Sequence, residues 1–326
     1  MFKYINTLMK KVFLILVLLA AVFFGLSIYN NYTANKNSVG SITSPLPYLL
    51  SDFLVANGDN KYWRPTPQLL DKKIVKPEVT AKSALAYDLT TNQFLYEKDI
   101  KTRIPLASLT KIMTAVIALE NIKLDKEFTV TKSAAEVGEN TMGLTEGEKL
   151  TLEELLYGLV LHSGNDAAET IAQGSQFGRD NFVYLMNKKA ENMGLSDTHF
   201  TNPSGLEGDG KQYSTTYDLL VMTRYALENP EFASVVATVE KELPYSEKHK
   251  YLYLFNETNL LTSYPGVKGV KTGYTGEAGL CLVTYLEYNG HKIIAILLNA
   301  QNRRQEMKDL LDYSLKTLGI KPPPHS

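Results

Sequence analysis

Ser108 and Lys111 stand three residues apart in Ser108-Leu109-Thr110-Lys111, at the head of a helical pattern that runs to Asn121. A serine hydroxyl is a poor nucleophile near neutral pH and gains strength beside a group that takes its proton. If Ser108 opens the helix, Lys111 lies one turn on, on the same face and within reach of the hydroxyl. A lysine pKa of about 10.4 is too high for a base at neutral pH, so such a site must lower it. The positive end of the helix dipole, burial and a second cation all push in that direction. The same four residues also read as a serine N-cap followed by a solvated lysine, and spacing alone leaves both readings open.

The elements that would hold this pair follow from hydrophobic periodicity and turn chemistry. Ser83 to Tyr87 and Gln93 to Tyr96 are β-type runs flanking Thr91-Asn92, which predicts a hairpin. The stretch from Leu152 to about Ala237 is mostly helical, with Thr151 as N-cap and Glu153 and Glu154 in the first turn. Within it, Arg179 to Met193 and Thr216 to Glu228 carry apolar residues at helical spacing, and Thr201-Asn202-Pro203-Ser204-Gly205 is a turn between them. Gly279 to Tyr288 and Lys292 to Asn299 flank Asn289-Gly290, whose residues suit the positive φ of a type I′ turn. An amphipathic helix, Glu306 to Leu318, closes the pattern. Strands at both ends of a helical middle predict a mixed α/β (α+β) fold: an antiparallel sheet flanked by helices, with a helical subdomain.

The 326 residues are 44% hydrophobic and 21% charged, enough to bury a core. Formal net charge is −1, from 34 Lys+Arg against 35 Asp+Glu, and no basic stripe marks a nucleic-acid surface. Cys281 is the only cysteine, which excludes an intrachain disulfide and a cysteine-based zinc site; its apolar run marks it as a core residue. Lys3, Lys10 and Lys11 precede the apolar run from Val12 to Ile28, roughly 25 Å as a helix against a hydrocarbon core of about 30 Å. Basic residues before it, and none after it until Lys36, predict a cytoplasmic N-terminus, a membrane segment over 12–28 and an outward-facing body. Gly25-Leu26-Ser27 also fits a signal-peptide cleavage site, which would release a secreted body. The expected organisation is residues 1–29 as anchor or signal, 30–78 as a Pro-, Asn- and Ser-rich linker, 79–320 as the catalytic domain and 321–326 as a tail.

Two further motifs follow Ser108 and Lys111 in order: Ser163-Gly164-Asn165 after a helical run, and Lys271-Thr272-Gly273 just ahead of the last hairpin. Ser-x-x-Lys, Ser-Asp-Asn and Lys-Thr-Gly together mark β-lactamases and penicillin-binding proteins. Here Gly164 stands where that pattern has Asp. With the flanks Pro105 to Thr114, Ser163 to Ala168, His199 to Leu206 and Lys271 to Thr275, the sequence resembles the low-molecular-weight penicillin-binding proteins of the D-alanyl-D-alanine carboxypeptidase family, over Ser83 to Leu318.

That resemblance implies a β-lactamase/transpeptidase-like fold and a role for each residue. Ser108 attacks the carbonyl between two D-alanines of a peptidoglycan stem peptide, and Lys111 takes its proton. Ser163 relays a proton to the leaving amine, and Asn165 holds the substrate amide and Lys111. Lys271 is the second cation, and Thr272 contacts the substrate carboxylate. The backbone N–H groups of Ser108 and Tyr274, after Gly273, form the oxyanion hole, and Thr275 adds to the carboxylate site. Arg303 or Arg304 supplies the countercharge, or both are simply solvated. β-Lactam antibiotics are implied as covalent inhibitors, and no cofactor or metal is implied. Many relatives continue into a β-rich domain and a C-terminal anchor helix; this sequence stops after its closing helix, so the N-terminal segment is expected to carry the membrane attachment.

Residues that are missing weigh on the other readings. There is no Gly-x-Ser-x-Gly elbow and no His-Glu-x-x-His, and His162 beside Ser163 reads as structural. Gly266 to Thr272 resembles a phosphate loop, but Val270 rather than glycine precedes Lys271 and strand-type residues follow. A β-lactamase of class A needs a glutamate-activated water, and the stretch after Ser163 reads Asn202-Pro203-Ser204-Gly205 instead of Glu-x-x-Leu-Asn. A D,D-endopeptidase would use the same groups as a carboxypeptidase. A catalytically silent wall-binding module would not need Lys111.

Overall fold

The computed structural model describes residues 62–325, except 71, 72, 209 and 259. The membrane segment expected over 12–28 and most of the 30–78 stretch lie outside the described residues. Among the described residues no helix is long and apolar enough to cross a membrane.

The chain enters the sheet as a hairpin, β1 (Ser83–Asp88) and β2 (Gln93–Lys98). Asn92 at φ 55 helps close its turn, and the Asp88 carboxylate accepts from Thr90 N and the Thr91 hydroxyl. Every residue of β1 is buried, as a central strand requires. A 3₁₀ turn, Ala107–Thr110, then runs into α1 (Lys111–Asn121), whose residues Lys111 to Ala118 are all buried. A helix covered all round forms the axis of the helical half.

Around it lie the short β3 (Glu127–Thr129), α2 (Lys132–Ala135) and β4 (Lys149–Thr151), then α3 (Leu152–Leu161), α4 (Asn165–Gly174), α5 (Arg179–Asn192), α6 (Thr216–Leu227) and α7 (Pro230–Val236). The N-cap expected at Thr151 is present as a capping box: Thr151 Oγ1 accepts from Glu154 N, and Glu154 Oε2 accepts from Thr151 N at 2.7 Å.

A separate hairpin, β5 (Glu240–Leu243) and β6 (Leu252–Phe255), and the single turn α8 (Leu260–Ser263) precede the return to the main sheet. There β7 (Val267–Gly273), β8 (Leu280–Tyr288) and β9 (His291–Ala300) complete an antiparallel sheet of order β2-β1-β9-β8-β7. Tyr288 pairs with His291 across Asn289 (φ 49) and Gly290 (φ 81), the expected type I′ turn.

The closing helix α9 (Arg303–Thr317) starts three residues before the expected Glu306, because Asn302 caps it by accepting from Gln305 N. It lays Met307, Leu310, Leu311 and Leu315 over Ala84, Ala86, Leu297 and Leu286 of the sheet. α6 packs against the sheet through β1 and β9. Within the stretch read as linker, residues 68–70 bond to the β2 edge: Leu70 N donates to Phe94 O at 2.8 Å and Phe94 N to Gln68 O at 2.9 Å. Trp63 also packs edge-on against Tyr87 at 5.3 Å. A free edge is thereby covered.

Candidate active site

The hydroxyl of Ser108 does not cap the helix, as an N-cap reading would require. It lies inside the 3₁₀ turn, where no side chain caps either end, and Lys111 Nζ stands 2.9 Å from its Oγ. The turn is held from three sides. Ala107 takes φ 48, an uncommon conformation for a residue with a Cβ. Gly205, at φ 91, passes so close that a Cβ there would collide with the Ala107 carbonyl. Gly273 of β7 approaches from the sheet, with its Cβ direction 3.2 Å from Leu106 O and 3.3 Å from Ala107 Cβ. Ser108 itself stays half-buried, while Lys111 is fully buried.

Lys111 Nζ has two other partners, Asn165 Oδ1 at 2.7 Å and the Ser204 carbonyl at 2.7 Å. Both are pure acceptors. A neutral amine has two N–H donors and one lone pair. With both donors given to Asn165 and Ser204, the lone pair faces the Ser108 hydroxyl, the orientation a general base needs. The Ser204 carbonyl is held by an Asx turn in which Asn202 Oδ1 accepts from Gly205 N at 2.7 Å. The Thr114 hydroxyl, one turn beyond Lys111, donates to Pro203 O at 2.6 Å and ties that loop to α1. Burial pushes the Lys111 pKa well below its ordinary value, and the Lys271 cation pushes it further; Glu257, Asp166 and Glu139 oppose them.

Ser163 is buried at φ 55, just past His162, the C-cap of α3. Gly164 caps α4 and leaves no room for a side chain: a Cβ would lie 2.8 Å from Asp166 Oδ1 and 3.2 Å from Met142 N. The carboxylate next to that space belongs to Asp166, which accepts from Met142 N, Gly143 N and Leu144 N at 2.9–3.0 Å. Asp166 thus fastens the 138–144 loop, whose Gly138 carbonyl accepts from Asn165 Nδ2 at 3.1 Å. Gly164 stands where the related motif has an acid, and the carboxylate beside it here comes from Asp166, two residues on.

Lys271 is buried, and burial lowers its pKa to about 8 against the opposing pull of Glu257. Its facing depends on a one-residue bulge in β7 between Val267 and Val270, which reverses the sides taken by later residues. Thr272 is buried with its hydroxyl 3.5 Å from Glu257 Oε2, while Tyr274 is 63% exposed at the rim. The Thr275 hydroxyl accepts from Ala278 N at 3.1 Å and is bonded to Glu207, so it serves its own turn first. Arg303 turns inward, donating to Gly273 O at 2.7 Å, whereas Arg304 is exposed; both line a recess with Thr272 and Glu257. On the other side, a cleft of about 510 Å³ is lined by Ala107, Gly205, Glu207, Tyr213 and Thr275.

Direct hydrogen bonds therefore unite Ser108, Lys111 and Asn165, and Lys271 joins them through its field. Sequence reasoning missed Glu257, the Ser204 carbonyl and the Asp166 clamp. Asp166 lies within a quoted flank without a role, and nothing local to Glu257 signals its contact with Thr272. Cys281 is buried, and burial raises its pKa to about 11, consistent with a core thiol.

A family model described as D-alanyl-D-alanine carboxypeptidase matches residues 71–302. The chain is similar to D-alanyl-D-alanine carboxypeptidase DacF of Bacillus subtilis, 36% identical over 242 residues, covering 72% of this chain and 62% of that protein. It is also similar to D-alanyl-D-alanine carboxypeptidase DacB2 of Mycobacterium tuberculosis, 35% identical over 223 residues, covering 68% of this chain and 76% of that protein. The crystal structure of the Streptomyces K15 DD-transpeptidase shares the fold with a TM-score of 0.71 at 33% identity, over 74% of this chain and all of that one. The chain spans less than two thirds of the length of the Bacillus protein. With the match running from before β1 to the cap of α9 and so taking in the whole sheet and all three motifs, this chain belongs to the D-alanyl-D-alanine carboxypeptidase family.

Proposed function

We propose that this chain is a serine-type D-Ala-D-Ala carboxypeptidase that trims peptidoglycan stem peptides. The observation that carries the reading is the set of contacts at Lys111 Nζ, with Ser108 Oγ at 2.9 Å and the two pure acceptors Asn165 Oδ1 and Ser204 O at 2.7 Å, which in the neutral amine leave the lone pair for Ser108. In acylation, Ser108 Oγ bonds to the carbonyl carbon between the two D-alanines while its proton passes to Lys111 Nζ. The oxyanion forms against the N–H groups of Ser108 and Tyr274. The C–N bond then breaks as the Ser163 hydroxyl gives its proton to the departing amine and takes the one held on Lys111 Nζ, which leaves both groups neutral again. Lys271, Thr272 and Arg303 supply the positive, hydrogen-bonding surface for the terminal carboxylate, with Gly273 allowing the strand to come close. Water later cleaves the acyl ester. A β-lactam amide enters the same first step and gives a slowly released adduct.

The membrane belongs to the same proposal: residues 12–28 anchor the chain, with the N-terminus cytoplasmic and the catalytic domain outside. The decisive experiment incubates the protein with fluorescent penicillin and with a peptide ending in D-Ala-D-Ala, alongside Ser108→Ala. The wild type should label covalently and release D-alanine, and the variant should do neither. Rapid turnover of the penicillin would point to a β-lactamase instead. Release from a D,D-crosslinked dimer in preference to the linear peptide would favour the endopeptidase reading.

A further inference from the structure

Among the described residues the hairpin of β5 and β6 pairs with no other strand, and one of its faces is aromatic. Along β6 and the residue on either side of it the burial alternates: Tyr251, Tyr253 and Phe255 are 51%, 49% and 45% exposed, while Leu252, Leu254 and Asn256 are buried. A period of two sets the three rings in a row at roughly 7 Å spacing. The row ends two residues before Glu257, whose carboxylate accepts from Asn140 Nδ2 at 3.1 Å and lies beside Thr272. The aromatic face therefore leads directly to the candidate active site.

The facing strand adds acids to the same surface. Glu240 pairs with Phe255 and Glu242 with Tyr253, and both glutamates are exposed. The Tyr253 hydroxyl donates to Glu240 at 2.5 Å, and Tyr251 is hydrogen-bonded to Glu242. The neighbouring cations are engaged elsewhere, Lys248 with Glu127, Lys250 with Glu148 and Lys241 over the Tyr157 ring. What remains is a row of ring faces edged by carboxylates.

Each class of occupant meets this surface differently. An anionic bilayer is repelled by Glu240 and Glu242. An apolar protein surface would bury those carboxylates unpaired, at high cost. A sugar ring offers C–H groups on its face, which stack on the electron-rich face of an aromatic ring, and hydroxyls at its rim, which donate to carboxylates. Of these three, the sugar alone uses both features.

We propose that Tyr251, Tyr253 and Phe255, with Glu240 and Glu242, form a platform that binds the sugar chain of the cell-wall polymer. The proposal rests on the reading of the chain as a peptidoglycan enzyme. Because the platform lies on the Thr272 side of the cleft, where the bound peptide ends in its free carboxylate, the sugar chain it holds belongs to a neighbouring strand of the wall and not to the strand that carries the peptide. It therefore acts on the polymeric substrate and is irrelevant to a short peptide.

The test uses the full chain in detergent and a Tyr251→Ser/Tyr253→Ser/Phe255→Ser variant. Co-sedimentation with protein-free peptidoglycan sacculi and titration with a tetramer of N-acetylglucosamine report sugar binding. Penicillin labelling and D-alanine release from a soluble peptide report the catalytic site separately. Sacculus binding should fall about tenfold or more and the tetramer titration should vanish, with labelling and soluble-peptide turnover unchanged. A Glu240→Gln/Glu242→Gln variant, which disturbs no packing, should weaken both sugar readouts in the same way. Undiminished sacculus binding in the triple variant would overturn the platform. So would a wild type that ignores the tetramer yet self-associates through this face, with self-association lost in the triple variant. A wild type that binds sugar but is not labelled by penicillin would count against the proposed activity and leave the platform standing.

Discussion

The chemistry of the site turns on how two buried ammonium groups divide their protons. Lys111 works as a base only when neutral, whereas Lys271 works as a cation only when charged. Burial lowers both, but Glu257 pulls Lys271 back to about 8, while Lys111 feels Lys271 as well. The rate of acylation should rise with pH as Lys111 loses its proton and fall again near pH 8 as Lys271 loses its own. Removing the cation with Lys271→Ala leaves Lys111 easier to protonate, so its pKa rises and the acid limb moves to higher pH. The loss of charge stabilisation should also slow acylation by about 10²–10³-fold. Removing the anion with Glu257→Gln makes both lysines easier to deprotonate, so both limbs should move to lower pH. The pH dependence of penicillin acylation measures all three proteins, and limbs that stay in place would refute the coupling.

At the scale of elements, the nucleophile is placed by three backbone segments that meet at Ala107. The 3₁₀ turn, the Asn202–Gly205 loop and β7 come together because Gly205 and Gly273 have no side chain. Gly205→Ala should displace the Ala107 peptide and reduce acylation by about 10²-fold, a cost typical of misplacing a reacting group by about 1 Å. Asp166 does the matching work in the helical half, and Asp166→Ala frees the three backbone donors of the 142–144 loop. The expected loss is about 3 kcal/mol, or roughly 6–12 °C in melting temperature by calorimetry. These meetings explain what the sequence could and could not disclose. The Asn289-Gly290 turn, the Thr151 capping box and the Ser108–Lys111 spacing are local, so residue types alone announce them. The Asn165 contact with Lys111 came through resemblance. Glu257, the Ser204 carbonyl and the covering of β2 by residues 68–70 join segments far apart in the chain, and no local pattern encodes them. Arg303 was half-legible: the arginine pair was visible, but only the cap at Asn302 turns the first of them toward Gly273.

At the scale of the whole molecule, the apolar interior carries charges that serve the site and cost stability. Lys271 is the cleaner example, since its Nζ makes a weak bond of 3.2 Å to the Thr272 carbonyl and no hydrogen-bonded ring of acceptors like that around Lys111. Its pKa is about 8 in the folded chain against 10.5 for an ordinary lysine. A folded-state pKa below the unfolded value means that folding opposes the charged form. Below pH 8 both states hold the proton and the full penalty is present, about 3 kcal/mol at 1.36 kcal/mol per unit. Between pH 8 and 10.5 the unfolded chain keeps a proton that the folded chain has released, so stability rises with pH and the penalty fades. Lys271→Met, which fills the same space without charge, should therefore unfold at higher denaturant than the wild type at pH 7, while losing acylation. Its advantage should shrink as the pH climbs from 8 and be gone by about 10.5. Equal midpoints at pH 7 in urea titrations would show instead that Glu257 already balances the buried charge against burial and the repulsion of Arg303.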